Sequence, residues 1–165
     1  MLVDRARRGD RHAAAALFER HWTRAWRTAF AITGSEAAAD DVAQEAFERA
    51  FAGLASFNGR SAFGTWLYRI VVNAALNAVR DERRRTAFDP GPPEPAGSWA
   101  ASESELVAAL GALPAERRAV VVLRYWLGFV PTEIAELLEL PVGTVHSRLA
   151  RALAELRLNL EGTDG

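Results

Sequence analysis

The chain has 165 residues, a formal net charge of −1, no cysteine and three scattered histidines. That composition excludes a disulfide framework, thiolate chemistry and cysteine-ligated zinc, and no two histidines stand at ligand spacing, so no metal or cofactor is expected. No apolar run reaches membrane-spanning length, and the charged start MLVDRARRGDR is not a signal peptide, so a cytoplasmic chain without membrane contact is expected.

Half of the residues are hydrophobic and a quarter are charged, which suits a packed, water-soluble protein. The charge is uneven along the chain. Residues 1–85 carry 14 Arg against 10 acids (net +4), residues 86–102 carry only Asp89 and Glu94, and residues 103–165 carry 6 Arg against 9 acids (net −3). A local basic surface is therefore compatible with the small total.

A helical pattern begins at Asp10 and runs to about Thr33. Leu17, Phe18, Trp22, Trp26, Ala29 and Phe30 recur at three- and four-residue steps, the spacing of a core-facing stripe. Gly34 stands where a helix C-terminus wants a left-handed residue, and Ser35 is a natural N-cap for the next helix, about Glu36–Ala55. The buried side of that helix is expected to hold Val42, Ala43, Ala46, Phe47, Ala50, Phe51 and Leu54. Asp41, Gln44, Glu45 and Glu48 line an exposed acidic side, either merely solvated or a docking face for a basic partner.

Ser56–Arg60 is a break with turn chemistry in Asn58–Gly59. Ser61 can cap a third helix reaching about Arg84, with Phe63, Trp66, Leu67, Ile70, Val71, Ala74 and Ala75 inward. Arg69, Asn73, Asn77, Arg80 and Arg84 follow at steps of four, four, three and four, a single polar stripe. Arginine and amide side chains in one row are what a surface tracking a phosphate backbone and offering hydrogen bonds to bases requires.

Residues 86–102 hold four prolines and two glycines, which no helix survives, so they are expected to be a semi-extended linker between two helical domains. Ser102 with Glu105 reads as a capping box for a short helix to Ala112, with Leu106, Val107 and Leu110 inward. Pro114 starts another helix, its apolar content being Val120, Val121, Leu123, Tyr125 and Leu127, and Gly128 closes it.

The last two helical patterns, Pro131–Leu138 and about Val142–Leu158, are separated by a break at Glu139–Gly143. Ile134, Leu137 and Leu138 make the buried stripe of the first; Val145, Leu149, Ala152, Leu153 and Leu156 make that of the second. Ala135 and Gly143 are small where the two helices would cross closely. Thr144, Ser147, Ala150 and Arg151 lie on the outer side of the second helix, with His146 and Arg148 on its flanks. Two short helices with a tight turn and small and basic residues facing outward describe a helix-turn-helix DNA reader; a plain helical hairpin with a solvated face is the alternative. No catalytic grouping and no phosphate-binding glycine loop occurs, so the chain is not expected to be an enzyme.

The ordered set of these segments resembles the extracytoplasmic-function (group IV) sigma factors of the bacterial sigma-70 family. The residues carrying the resemblance are Asp41-Val-Ala-Gln44-Glu45-Ala-Phe47, Phe57 through Trp66-Leu-Tyr68-Arg69-Ile-Val-Val-Asn73, Leu113-Pro114, Leu123-Arg124-Tyr125, Glu133-Ile134-Ala135 and Pro141-Val142-Gly143-Thr144-Val145-His146-Ser147-Arg148. The resemblance implies an all-α chain of two small domains, a region 2-like domain over residues 1–85 and a region 4-like domain over 103–165, joined by the proline-rich linker 86–102.

It also implies roles. Asp41, Gln44, Glu45 and Glu48 would dock on the β′ clamp helices of core RNA polymerase, and the β flap would be a second polymerase contact. Phe57, Asn58, Arg60 and Ser61 would belong to the loop that pockets a flipped −10 base, and Arg69, Asn73, Asn77 and Arg80 to the wall along the separated strand. His146, Ser147, Ala150 and Arg151, with Thr144 beside them, would face the −35 major groove while Arg148 holds a phosphate. An anti-sigma factor would be the inhibitory partner. A stand-alone helix-turn-helix regulator remains the alternative. The chain departs from the family pattern at Val130-Pro131, where a polar cap is usual, and at His146 and Ala150.

Overall fold

The structure, a computed structural model, describes residues 1–88 and 105–162. The expected linker conformation, the Ser102 cap and the Val107 side chain lie outside the described residues. Eight α-helices follow one another, with no strand among the described residues: α1 (Leu2–Arg7), α2 (Arg11–Thr33), α3 (Glu36–Ala52), α4 (Phe63–Phe88), α5 (Glu105–Gly111), α6 (Ala115–Val121), α7 (Pro131–Leu138) and α8 (Val142–Glu161). The all-α expectation holds.

The start of α2 follows from Asp10, whose carboxylate accepts from the backbone N–H groups of His12 and Ala13 and is bridged by Arg5 at 2.7 Å. These hydrogen bonds hold the Asp10 carboxyl below the usual carboxylate range, that from Ala13 most of all. Gly34 ends α2 at φ +70°, and Ser35 caps α3 through Ala38 N–H, both as the sequence implied. Helices α2, α3 and α4 pack on one another and make the first half of the molecule. Its centre is Ile32, Ala39, Val42, Ala46, Phe47, Leu67, Val71 and Val72, all nearly or fully withdrawn from water. Each of the Ile, Val, Leu and Phe side chains among them contributes about 1.5–3 kcal/mol of burial, and the alanines less.

The aromatic residues of α2 do not all enter that core. Phe18 lies over Trp22 (5.0 Å between centroids) and Phe47 (4.7 Å), and Trp26 stacks on Phe30 at 5.3 Å, a band covering the side of α2 rather than its centre. The Trp26 indole donates to Asp40 at 2.5 Å, satisfying the one polar atom the ring carries.

In the second half, α5, α6 and α7 all pack on α8. Ile134 and Val145 are fully buried between α7 and α8, flanked by Leu149, Ala152 and Leu156. Glu139 takes the left-handed conformation (φ 54°) at the end of α7, and Pro141 precedes α8 as its N-cap residue. That single turn makes the tight connection expected of a helix-turn-helix.

Several sequence expectations need correction. Helix α1 was not anticipated: it has no buried residue and so left no apolar stripe to read. Helix α4 begins at Phe63, its first bond running from Trp66 N–H to Ala62 O, so Ser61 is not its cap; at the other end it continues to Phe88. Leu106 is exposed, because α5 buries Ala109 instead. Between α6 and Gly128 the chain widens into a π-helical turn over Val122–Trp126. The wide turn breaks the 3.6-residue period on which the pattern relied, burying Leu123 but turning Tyr125 and Trp126 out. Leu153 is exposed, and Gly143 has nothing within 4 Å of where a Cβ would stand, so it marks no close crossing. The start of α7 is not wholly uncapped: Val130 has no side-chain acceptor, but Glu133 Oε1 accepts from Val130 N–H at 3.1 Å.

The two halves share one core. Ala119, Val120, Leu123 and Phe129 continue the cluster of α2, α3 and α4. Arg118, buried on α6, donates to Leu113 O at 2.9 Å, to Gly111 O at 3.2 Å and to Ile32 O in the last turn of α2. A guanidinium at two helix C-termini sits where backbone dipoles favour a cation. Arg24 Nη2 donates to Trp126 O at 2.8 Å, and Arg83 grips Glu116 with two hydrogen bonds.

Candidate nucleic-acid interface

Four sets of side chains were anticipated, and the fold arranges each differently. Asp41, Gln44, Glu45 and Glu48 all lie exposed on α3. Val42, Ala43, Ala46 and Phe47 turn the opposite face into the core, so this acidic surface is held by a rigid, well-anchored helix. Glu45 is paired with Arg49 at 2.5 Å, one turn on.

The loop between α3 and α4 is built on an aromatic floor. Phe57 is buried, 5.0 Å from the Trp66 ring and 6.3 Å from Phe63. Phe57 therefore supports the loop from beneath and presents no face at the surface; the apolar ring is worth more in the core than against a transient ligand. Above it Asn58 accepts from Arg60 N–H at 2.9 Å through its side-chain carbonyl, and Gly59 supplies φ +72°, a turn that an L side chain would strain. Asn58 and Arg60 are exposed and Ser61 is half-buried at the rim.

Along α4, Asn73, Asn77 and Arg80 are exposed on one side, and Arg80 Nη1 reaches Asn77 Oδ1 at 3.5 Å. Arg69 begins the same row but is only half-exposed. Its guanidinium lies 3.7 Å from Glu133 of α7 and 5.6 Å from the centre of the Phe129 ring. Close to the row's start, His21 and Tyr68 share a hydrogen bond of 2.9 Å. Burial lowers the proton affinity of His21, with the nearby Arg20 and Arg24 adding to the effect. The imidazole packs against Phe63 with ring centroids 5.4 Å apart.

On α8, His146, Ser147, Ala150 and Arg151 project into solvent, with Thr144 and Arg148 half-buried beside them. Ser147 donates to Thr144 O at 3.1 Å, a bond within the helix that an incoming acceptor can replace. The four inward residues Val145, Leu149, Ala152 and Leu156 fix which face points out.

Sequence reasoning missed the arginines that join the halves: Arg24, Arg83 and Arg118. Two of their partners lie 102 and 86 residues away, and no local pattern marks such contacts. Among the described residues there is no cluster of side chains able to hold a metal ion, and no helix is long and apolar enough to cross a membrane.

Residues 17–85 match the family model of sigma-70 region 2, and residues 103–156 match that of sigma-70 region 4. The class is thus that of the sigma-70 proteins. Among curated relatives, the ECF RNA polymerase sigma factor SigM of Mycobacterium tuberculosis is 38% identical over 90% of this chain and 77% of its own length. The ECF RNA polymerase sigma-E factor of Escherichia coli is 34% identical over 92% of this chain and 88% of its own. Among solved structures, CnrH in complex with the cytosolic domain of CnrY superposes with a TM-score of 0.69 at 28% identity, covering 98% of this chain and 96% of that one. The chain belongs to the extracytoplasmic-function sigma factors of the sigma-70 family. It is a sigma factor, a subunit for promoter-specific transcription initiation.

Proposed function

We propose that the chain performs its sigma-factor role through three surfaces and that no bond is made or broken by its own residues. The exposed acids of α3, Asp41, Glu45 and Glu48 with Gln44, would dock on the clamp helices of core RNA polymerase, with the β flap as a second contact. The loop at Asn58–Ser61 and the row Arg69, Asn73, Asn77 and Arg80 would take the opened −10 strand. Stabilising an unpaired base there offsets the few kcal/mol of unstacking. His146, Ser147 and Arg151 would face the −35 major groove, with Thr144 and Arg148 placed for the flanking backbone.

The observation that carries this reading is that α4 and α8 each turn a polar row away from a mainly apolar buried face, and that the two helices lie almost wholly within the stretches matching sigma regions 2 and 4. The total charge of −1 fits as well, since docked polymerase supplies affinity that a free regulator would need from its own cations. An anti-sigma factor is the proposed inhibitory partner; the similar protein CnrH is solved in complex with the cytosolic domain of CnrY.

Run-off transcription tests the reading: core polymerase with and without the chain, on fragments of the source genome. A chain-dependent transcript, lost on Asp41→Ala/Glu45→Ala and on Arg151→Ala, is the expected result. No such transcript from any fragment would sink it.

A further inference from the structure

Helix α7, the first helix of the reader, is packed on the other proposed DNA surface. Glu133 and Glu136 lie along it, and Glu139 is its left-handed C-cap residue. A cleft of about 580 Å³ separates α7 from α4, and its walls are Arg69, Asn73, Asn77 and Arg80 on one side and Glu136 and Glu139 on the other. Glu133 closes one end against Arg69 at 3.7 Å. Phe129 covers the Arg69 guanidinium from above, and Arg69 Nε is buried without a hydrogen-bond acceptor. An arginine held in that way gains by moving to a phosphate oxygen.

We propose that this contact is an autoinhibitory clasp: the carboxylates of α7 stand in for the phosphates of a DNA strand and keep the α4 row from binding one while the two halves are closed on each other. The inference rests on the assignment of the α4 row to the −10 strand. A strand occupying Arg69, Asn73 and Arg80 needs the space beside α7 and would itself be the countercharge to the arginines that the α7 carboxylates now supply, so the two occupants exclude one another. Glu133 ties the clasp to the fold of its own helix. Its Oε1 caps α7 at Val130 N–H, and its Oε2 faces Arg69. The competent form is then only a fraction of the free chain, and the apparent affinity for a strand is reduced by that fraction.

Glutamine keeps a side-chain oxygen for the Val130 cap while removing the charge, so the test is the full chain carrying Glu133→Gln, Glu136→Gln and Glu139→Gln. The chain has no cysteine, and exposed Ala15 on α2 and Ala154 on α8 can be changed to cysteine for a donor–acceptor dye pair. The DNA probe is a fluorescein-labelled, random-sequence single-stranded 20-mer. A melting curve confirms that each variant folds. The triple variant is expected to show reduced energy transfer and binding about fivefold tighter. A charge-matched control, Glu19→Gln/Glu36→Gln/Glu161→Gln, should leave the transfer unchanged and change the affinity by less than about twofold, since exposed charges far from the cleft are screened.

Unchanged transfer and affinity in the triple variant, with Arg80→Ala still weakening the unaltered chain, would overturn the clasp and leave the assignment of the α4 row standing. Equal tightening by both triple variants would overturn it as a bulk charge effect. An opened triple variant whose affinity is unchanged, and in which Arg80→Ala also has no effect, would remove the strand assignment and the clasp together.

Discussion

The α4 row and the α8 face use similar chemistry, arginine beside small polar side chains, yet they stand in opposite situations. On α8 the outer residues His146, Ser147 and Arg151 are exposed, and the bond from Ser147 to Thr144 O stays within the helix. On α4 the row faces another part of the same chain, with Arg69 already paired to Glu133 and two more carboxylates across a cleft. The difference arises from support. Helix α8 is held from behind by α5, α6 and α7, which leaves its far side free, whereas α4 is long and borders both halves. A polar row on a helix therefore says what a surface can bind, and its neighbours decide when.

The strongest way to break the comparison is to remove the support of α8. Ile134→Ala empties a fully buried site between α7 and α8. We expect a loss of about 3 kcal/mol in urea unfolding. Because α7 also carries the contact to Arg69, the α4 row should become more accessible as the α8 face loses its backing. Hydrogen exchange at Asn73 and Asn77 against that at Ser147 would show both.

Arg118→Met keeps much of the volume at the junction but leaves the carbonyls of Ile32, Gly111 and Leu113 without their cation. A loss of about 2 kcal/mol is expected, with greater separation of the halves measured by small-angle scattering.

Arg151→Ala and Arg80→Ala sharpen the contrast directly. Removing a single groove or phosphate contact costs about 1–3 kcal/mol of DNA affinity when that contact is fully available. Arg151→Ala should show the effect on duplex −35 DNA whether or not polymerase is present. Arg80→Ala should show it fully with polymerase and only about twofold in the free chain. Equal effects of Arg80→Ala in both settings would mean that the row is never covered.

The smallest effect is the pH dependence of the junction. The hydrogen bond from Arg83, reinforced by its charge, holds the Glu116 carboxyl below the ordinary glutamate value of 4.5 against the opposing effect of burial. A carboxyl depressed on folding contributes stability that is complete above its unfolded value and is lost as pH falls through the folded one. The separation of the halves should therefore begin to rise below about pH 4.5, and Glu116→Gln should remove that component of the acid response. Half-exposure keeps it modest.

Much of this molecule was readable from local pattern. Asp10, Gly34 and Ser35 mark helix ends through bonds to residues within a few positions, and the period-3.6 stripes of α3, α4 and α8 name most of the buried side chains. The reader's outer face followed from the same count, because fixing the inward residues fixes the outward ones. Pattern failed where the period itself failed, at the π-helical turn that exposes Tyr125 and Trp126, and where nothing was buried, at α1. It also left the burial of Phe57 open: an aromatic residue in a loop has no period to reveal whether it faces water or the core.

The sequence by itself determined most of the helices, their apolar faces and the polar rows of α4 and α8, because each depends on residues one or two turns apart. Only the tertiary structure decided that the two halves close on one core, that Arg118 binds a carbonyl 86 residues away, and that the acids of α7 stand before the arginines of α4. Those contacts depend on how preformed surfaces match in shape and charge across large sequence separations, and no local spacing encodes that match.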